Sequence, residues 1–91
     1  MMNRTEDIPD VFIVTVASEV GDFEADLEIP SGLPLAEMEE KLVGILKILD
    51  EEKFKDWRGC RLRYRGRVLQ EAETLADAGA FDGSRLVVSG K

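Results

Sequence analysis

The chain has 91 residues, enough for one domain with one hydrophobic core and not for two. With 44% apolar and 34% charged residues it is too apolar for a disordered chain, and its formal net charge of -7 opposes a polyanionic partner. The absence of histidine and the single cysteine, Cys60, exclude a Ser-His-Asp triad, a Cys-His pair, an internal disulfide and the usual zinc ligand sets.

One unpaired thiol fits a reducing compartment, so the expected location is the cytoplasm. No Asp-rich calcium loop and no G-x-x-x-x-G-K-[ST] phosphate loop is present. The chain therefore reads as non-enzymatic, with no catalytic residues, cofactor or metal. Its longest apolar stretches, "VFIVTVA" and "LVGILKIL", are far shorter than a bilayer span, so direct membrane insertion is not expected. "MMNRTEDIPD" lacks the apolar run of a signal peptide and reads as a flexible tail over residues 1–10.

"VFIVTV", Val11 to Val16, is β-branched and aromatic and predicts a strand. Gly21-Asp22 supplies a turn. "FEADLEI" then alternates Phe23, Ala25, Leu27 and Ile29 against Glu24, Asp26 and Glu28, a half-buried strand forming an antiparallel hairpin with the first. Pro34 opens a helix whose apolar residues Leu35, Met38, Leu42, Ile45, Leu46 and Leu49 form one stripe, with Gly44 on the solvent side. "DEEKFKDWRG" reads as a polar connection whose Phe54 and Trp57 fold over the core's edge.

"CRLRY" predicts a third strand, with Cys60, Leu62 and Tyr64 inward and Arg61, Arg63 and Arg65 outward. By the same alternation Cys60 is expected to be buried and inert. Gly66 turns the chain into the short strand "RVL". A loop with a brief helical turn near Thr74 to Ala78 follows, and Asp82-Gly83 leads into a last strand, Arg85 to Ser89.

This order, with "RLRYRGRVLQEAETLADAG" and the following "RLVV", resembles the ubiquitin-like β-grasp fold. The shared features are a strand, a Gly turn at Gly66, a short strand ending in Leu69, and Thr74-Leu75-x-Asp77. The resemblance implies an α+β domain over residues 11–89, with a mixed four- to five-stranded sheet on one helix and residues 90–91 as a tail. It also implies that the first and last strands pair in parallel at the sheet's centre.

Three departures separate the chain from a conjugating modifier. "VVSGK" lacks the terminal glycine pair, Arg63 stands where ubiquitin's docking patch is apolar, and Ser89 replaces an apolar residue that completes that patch. "LEIPSGLPLAEMEEKL", Trp57 before "RLRYRGRVL", and "TLADAGAFDGSRL" are most similar to the YukD-type proteins of bacterial type VII (WXG-type) secretion and to the ubiquitin-like domain of EccD. That resemblance implies a cytosolic accessory or docking module whose partners are proteins, secretion-system components among them. The other reading is a modifier or sulfur-carrier protein acting through a processed C-terminus. Trp57-x-Gly59 also matches the turn motif of that system's substrates, but a strand follows it here, so Trp57 reads as a packing residue.

In a β-grasp sheet the hairpin and the third strand flank the centre. Residues 19–52 carry eleven acids and two lysines, and residues 53–67 carry seven bases and one acid, so the outer face is expected to be acidic on one side and basic on the other. Val11 and Ile13 should also face outward. The candidate protein-binding residues are therefore Arg61, Arg63, Arg65, Arg67, Val11 and Ile13. Two readings stand for them, a docking face and a plain solvated strand face. Nucleic acid is disfavoured by the acidic field and because Tyr64, the aromatic among the arginines, points inward. Oligomeric state stays open, a weak dimer included.

Overall fold

A computed structural model of the chain describes residues 9–91, so the expected N-terminal tail falls mostly outside the described residues. Two of its residues are already tied down. Ser31 donates its backbone N–H to the Asp10 carbonyl at 2.8 Å and its hydroxyl to the Pro9 carbonyl at 2.5 Å.

The elements are β1 (Val11–Ser18), β2 (Glu24–Pro30), α1 (Leu35–Leu49), α2 (Glu51–Phe54), β3 (Cys60–Tyr64), β4 (Arg67–Val68) and β5 (Arg85–Gly90). They build a five-stranded sheet in the order β2-β1-β5-β3-β4, the ubiquitin-like α+β arrangement. β1 and β2 pair antiparallel, as the alternation predicts. β1 and β5 pair in parallel at the centre, with Thr15 opposite Arg85 and Ala17 opposite Val87. β3 runs antiparallel to β5, with Arg61 opposite Ser89 and Arg63 opposite Val87.

One face of this sheet closes on α1. Val14, Val16, Leu62, Leu86 and Val88 meet Leu35, Met38, Leu42 and Leu46, all at most 1% exposed. Period-2 strands and a 3.6-period helix each bury their apolar face by being laid together.

The helix stripe lies differently from the sequence expectation. Leu49 is half exposed, while Val43 and Glu39 are buried. At 100° per residue the buried face is rotated by about 40° toward Glu39 and Val43. The cause lies in β3, which α1 touches. The Glu39 carboxylate accepts the Leu62 backbone N–H at 3.2 Å, and the Cys60 thiol reaches the Glu39 carbonyl at 3.5 Å. Burial pushes the Glu39 carboxyl above the ordinary glutamate range, against the Leu62 N–H, which favours the charged form.

The polar connection also differs. It contains α2, one helical turn capped at its N-terminus by the Asp50 carboxylate accepting from the Lys53 N–H at 3.2 Å. Phe54 is fully buried rather than at the core's edge, and its ring meets Phe23 and Trp57 edge-on, with centroids 5.0 and 4.8 Å away. Trp57 in turn lies over Gly90. A Cβ at Gly90 would stand 2.5 Å from the indole Cε2, so the strand needs glycine there. Residues expected as a C-terminal tail are thus part of the structure: β5 runs through Gly90, and Lys91 donates to the Gly59 carbonyl at 3.0 Å.

Candidate docking face

The six candidate residues do not form one cluster. Arg61 and Arg63 alternate with buried Leu62 and Tyr64 and project from the outer face, as expected. Val11 and Ile13 are 42% and 51% exposed on the same face. Gly83 donates to the Ile13 carbonyl at 2.8 Å, which sets Ile13 beside Gly83, whereas Arg61 lies opposite Ser89. Six residues of strand at about 3.3 Å each put about 20 Å between those two rows.

Arg65 and Arg67 leave the alternation because β3 ends at Tyr64. Tyr64 pairs with Arg67, leaving a two-residue hairpin loop in which Arg65 has φ 55° and Gly66 φ 80°. Two consecutive positive φ values make this a type I′ turn, whose first central position ordinarily takes Asn, Asp or Gly. The Arg65 guanidinium lies over the Tyr64 ring, 5.3 Å from its centroid. Arg67, paired directly with inward Tyr64, shares that side of the sheet rather than the outer face. It forms a two-pronged pair with Glu73 at 3.0 and 3.3 Å. The guanidinium holds the Glu73 carboxyl below its ordinary range, and Glu73 raises Arg67 in return. Arg67 is thus a structural clasp over the β4 turn.

The acidic and basic halves are less separate than the charge count suggests. Arg63 bonds Glu19 at 3.0 Å, and Arg85, at the sheet's centre, bonds Glu24 at 3.3 Å. Asp26 accepts from the Thr15 hydroxyl at 2.7 Å. Both ion pairs are about half exposed, so each contributes about 0–1 kcal/mol and is readily exchanged. Arg61 and Arg65 have no ion-pair partner among the described residues.

Two further residues complete this face, and the sequence reading passes over both. Phe81 is 53% exposed. Arg85 occupies the centre of the face because β5 lies between β1 and β3, a neighbourhood that no local pattern encodes. The signal for Phe81 is its place before Asp82-Gly83, where a large apolar residue cannot follow the strand inward. A groove of about 450 Å³ runs between the β3–β4 turn and the loop preceding β5, lined by Tyr64, Arg65, Phe81, Ser84, Arg85 and Val87 among others.

The remaining chemistry is sparse. Cys60 is buried, and its thiol is pushed up to about 12, first by burial and then by the nearby Glu39 carboxylate. No group of three or more Cys, Asp or Glu side chains among the described residues could hold a metal ion. No helix among them is long and apolar enough to cross a membrane.

Comparison with known proteins places this geometry. The ubiquitin-like domain of EccD1 from the Mycobacterium tuberculosis type VII secretion system is 24% identical, with 88% of this chain and 98% of that one aligned at a TM-score of 0.71. The EccD5 ubiquitin-like domain of Mycobacterium xenopi is 19% identical over 91% and 97%, with a TM-score of 0.74. Ubiquitin of Caldiarchaeum subterraneum is 21% identical over 89% and 94%, with a TM-score of 0.62. These likenesses establish the shared fold. No curated protein sequence matches the chain. Residues 12–88 match the family model of YukD, a protein of the WXG100 protein secretion system, and the chain belongs to that family.

Proposed function

We propose that residues 11–89 form a non-catalytic docking module, a cytoplasmic accessory of a type VII secretion system that binds protein partners through the outer face of its sheet. The observation that carries this reading is the composition of that face. Exposed Val11, Ile13 and Phe81 and half-buried Val87 share it with Arg61, Arg63 and Arg85, and Arg65 stands at its edge in the β3–β4 turn, the apolar and arginine-rich mixture typical of interfaces. Family membership supports the setting. A similar chain, of which this one covers 21%, belongs to an ESX-5 inner membrane complex, so a domain of this shape does occur within a secretion assembly.

A modifier or sulfur-carrier role, the other reading of the residues, needs a mobile glycine that an activating enzyme can reach. Gly90 instead lies within β5 beneath Trp57. The docking reading is tested by affinity capture from native lysate with mass spectrometry, comparing wild type with Arg63→Glu/Arg65→Glu. Partner proteins should be lost from the reversed variant while its thermal unfolding stays close to wild type. Unchanged capture would remove the arginines from the contact.

A further inference from the structure

We infer that the groove beside the β3–β4 turn takes an extended acidic segment bearing one bulky apolar side chain. This rests on the docking reading above and assigns the chemistry of the ligand and the part of the face that holds it.

Phe81 supplies the apolar contact, and it is held out rather than left out. Its own N–H donates to the Ser84 hydroxyl at 2.9 Å, and Ser84 N–H returns to the Phe81 carbonyl at 3.0 Å. The Asp82 carboxylate accepts from Ile13 N–H at 2.9 Å, and Gly83 donates back to Ile13 at 2.8 Å. Four bonds fix a short loop with its aromatic ring half in water. A ring so fixed regains its lost burial only when another surface covers it. At about 450 Å³ the shallow groove matches the scale of a side chain with its flanking backbone.

Arg65 and Arg85 supply the charge. Arg65 is the sole non-glycine residue with positive φ among the described residues, an arginine where Asn or Gly would sit with less strain. In this turn the guanidinium lies over the Tyr64 ring, 5.3 Å from its centroid, at the groove wall. Arg85 also lines the groove, paired with the exposed and exchangeable Glu24. The one carboxylate in the loop, Asp82, is already engaged by Ile13 N–H. Two planar guanidinium groups with no buried partner match carboxylates, each of which can accept two hydrogen bonds from such a fork. A short acidic segment meets them locally. A long polyanion would also meet the nineteen acids of the chain.

The test uses fluorescein-labelled synthetic peptides of alternating Asp and Glu around a central Leu, titrated into the isotope-labelled full chain and followed by amide NMR. Controls replace Leu with Ser, replace the acids with Lys, or substitute single-stranded DNA of equal charge. The acidic Leu peptide should move the amides of Arg65, Gly66, Gly83 and Arg85. Its affinity should fall about tenfold or more in Arg65→Gly and in Phe81→Ser, as expected for losing one charge-assisted contact or the apolar anchor. Arg65→Gly relieves the backbone strain, so its loss of binding cannot be ascribed to unfolding. Saturable binding that is absent, equally tight for the Lys peptide or DNA, or confined to the β2 or Ser89 end overturns the inference. Lysate capture that depends on Arg63 and Arg65 without peptide binding would overturn this assignment alone. Capture insensitive to both would overturn the docking reading itself.

Discussion

Glu39 offers the sharpest test of how the helix is held on the sheet. Glu39 is 4% exposed and its carboxylate accepts the Leu62 N–H, while the Leu62 carbonyl accepts from Leu69 N–H just beyond β4 at 2.9 Å. Glu39→Met keeps the length and apolar bulk but leaves that donor buried and unpaired, a loss of about 1–3 kcal/mol. For a domain of this size each kcal/mol lowers Tm by about 4–8 °C. Glu39→Gln keeps an acceptor without the charge and should match or exceed wild type at pH 7. The facing charged groups are Lys91, Arg61 and Glu71, with the neutral Cys60 thiol close by.

The sign of the pH dependence follows from the raised carboxyl. The folded chain binds the Glu39 proton more tightly than the unfolded chain, so stability drawn from this group falls as pH rises from about 4.5 through the raised folded value. The gap between the Glu39→Gln variant and wild type should therefore widen upward through that window and close below it. Thermal melts from pH 3 to 8 with amide hydrogen exchange at Leu62 read both effects. A Glu39→Met variant as stable as Glu39→Gln, with Leu62 still protected, would refute the cap.

Gly90→Ala should destabilise the domain by about 1–3 kcal/mol, because the new methyl would stand 2.5 Å from the Trp57 ring. The same change made in a Trp57→Ala background should cost much less, and a double-mutant cycle in urea showing no coupling would contradict the contact. Cys60 should resist thiol reagents in the native protein at pH 8 and react on unfolding, since its thiol is buried and pushed up to about 12. Rapid stoichiometric labelling of folded protein would count against that burial.

The parts of this fold that local chemistry encodes are legible in the residues. Alternation in "FEADLEI" and "CRLRY" gives β2 and β3 with their faces, and Val11 and Ile13 emerge outward as the period demands. The parallel β1–β5 pairing is a long-range choice that enters only through the family resemblance. Sequence reading fails where an element stops or where a side chain bonds across elements. Alternation carries Arg65 one residue past the end of β3, and it counts Arg67 with a face that residue does not share. α2 escapes notice because four residues with a single apolar member have no period. A helix stripe drawn by hydrophobicity alone cannot anticipate that a glutamate of α1 is drawn inward by a strand N–H. Phe81 and Arg85 join the face only through the strand order.

The central parallel pair also governs how the domain answers to tension. β1 begins near the groove end and β5 finishes near Trp57, at the opposite pole of the sheet. A pull between whatever precedes Val11 and whatever follows Gly90 therefore drags the two strands along each other in opposite directions. The evenly spaced bonds between them are loaded together in shear, so they cannot open one at a time as a hairpin does. β2, joined to β1 by its own short turn at the sheet's edge, lies outside that load path. Tension drawn between Val11 and Gly90 therefore meets the domain at its most cooperative bonds.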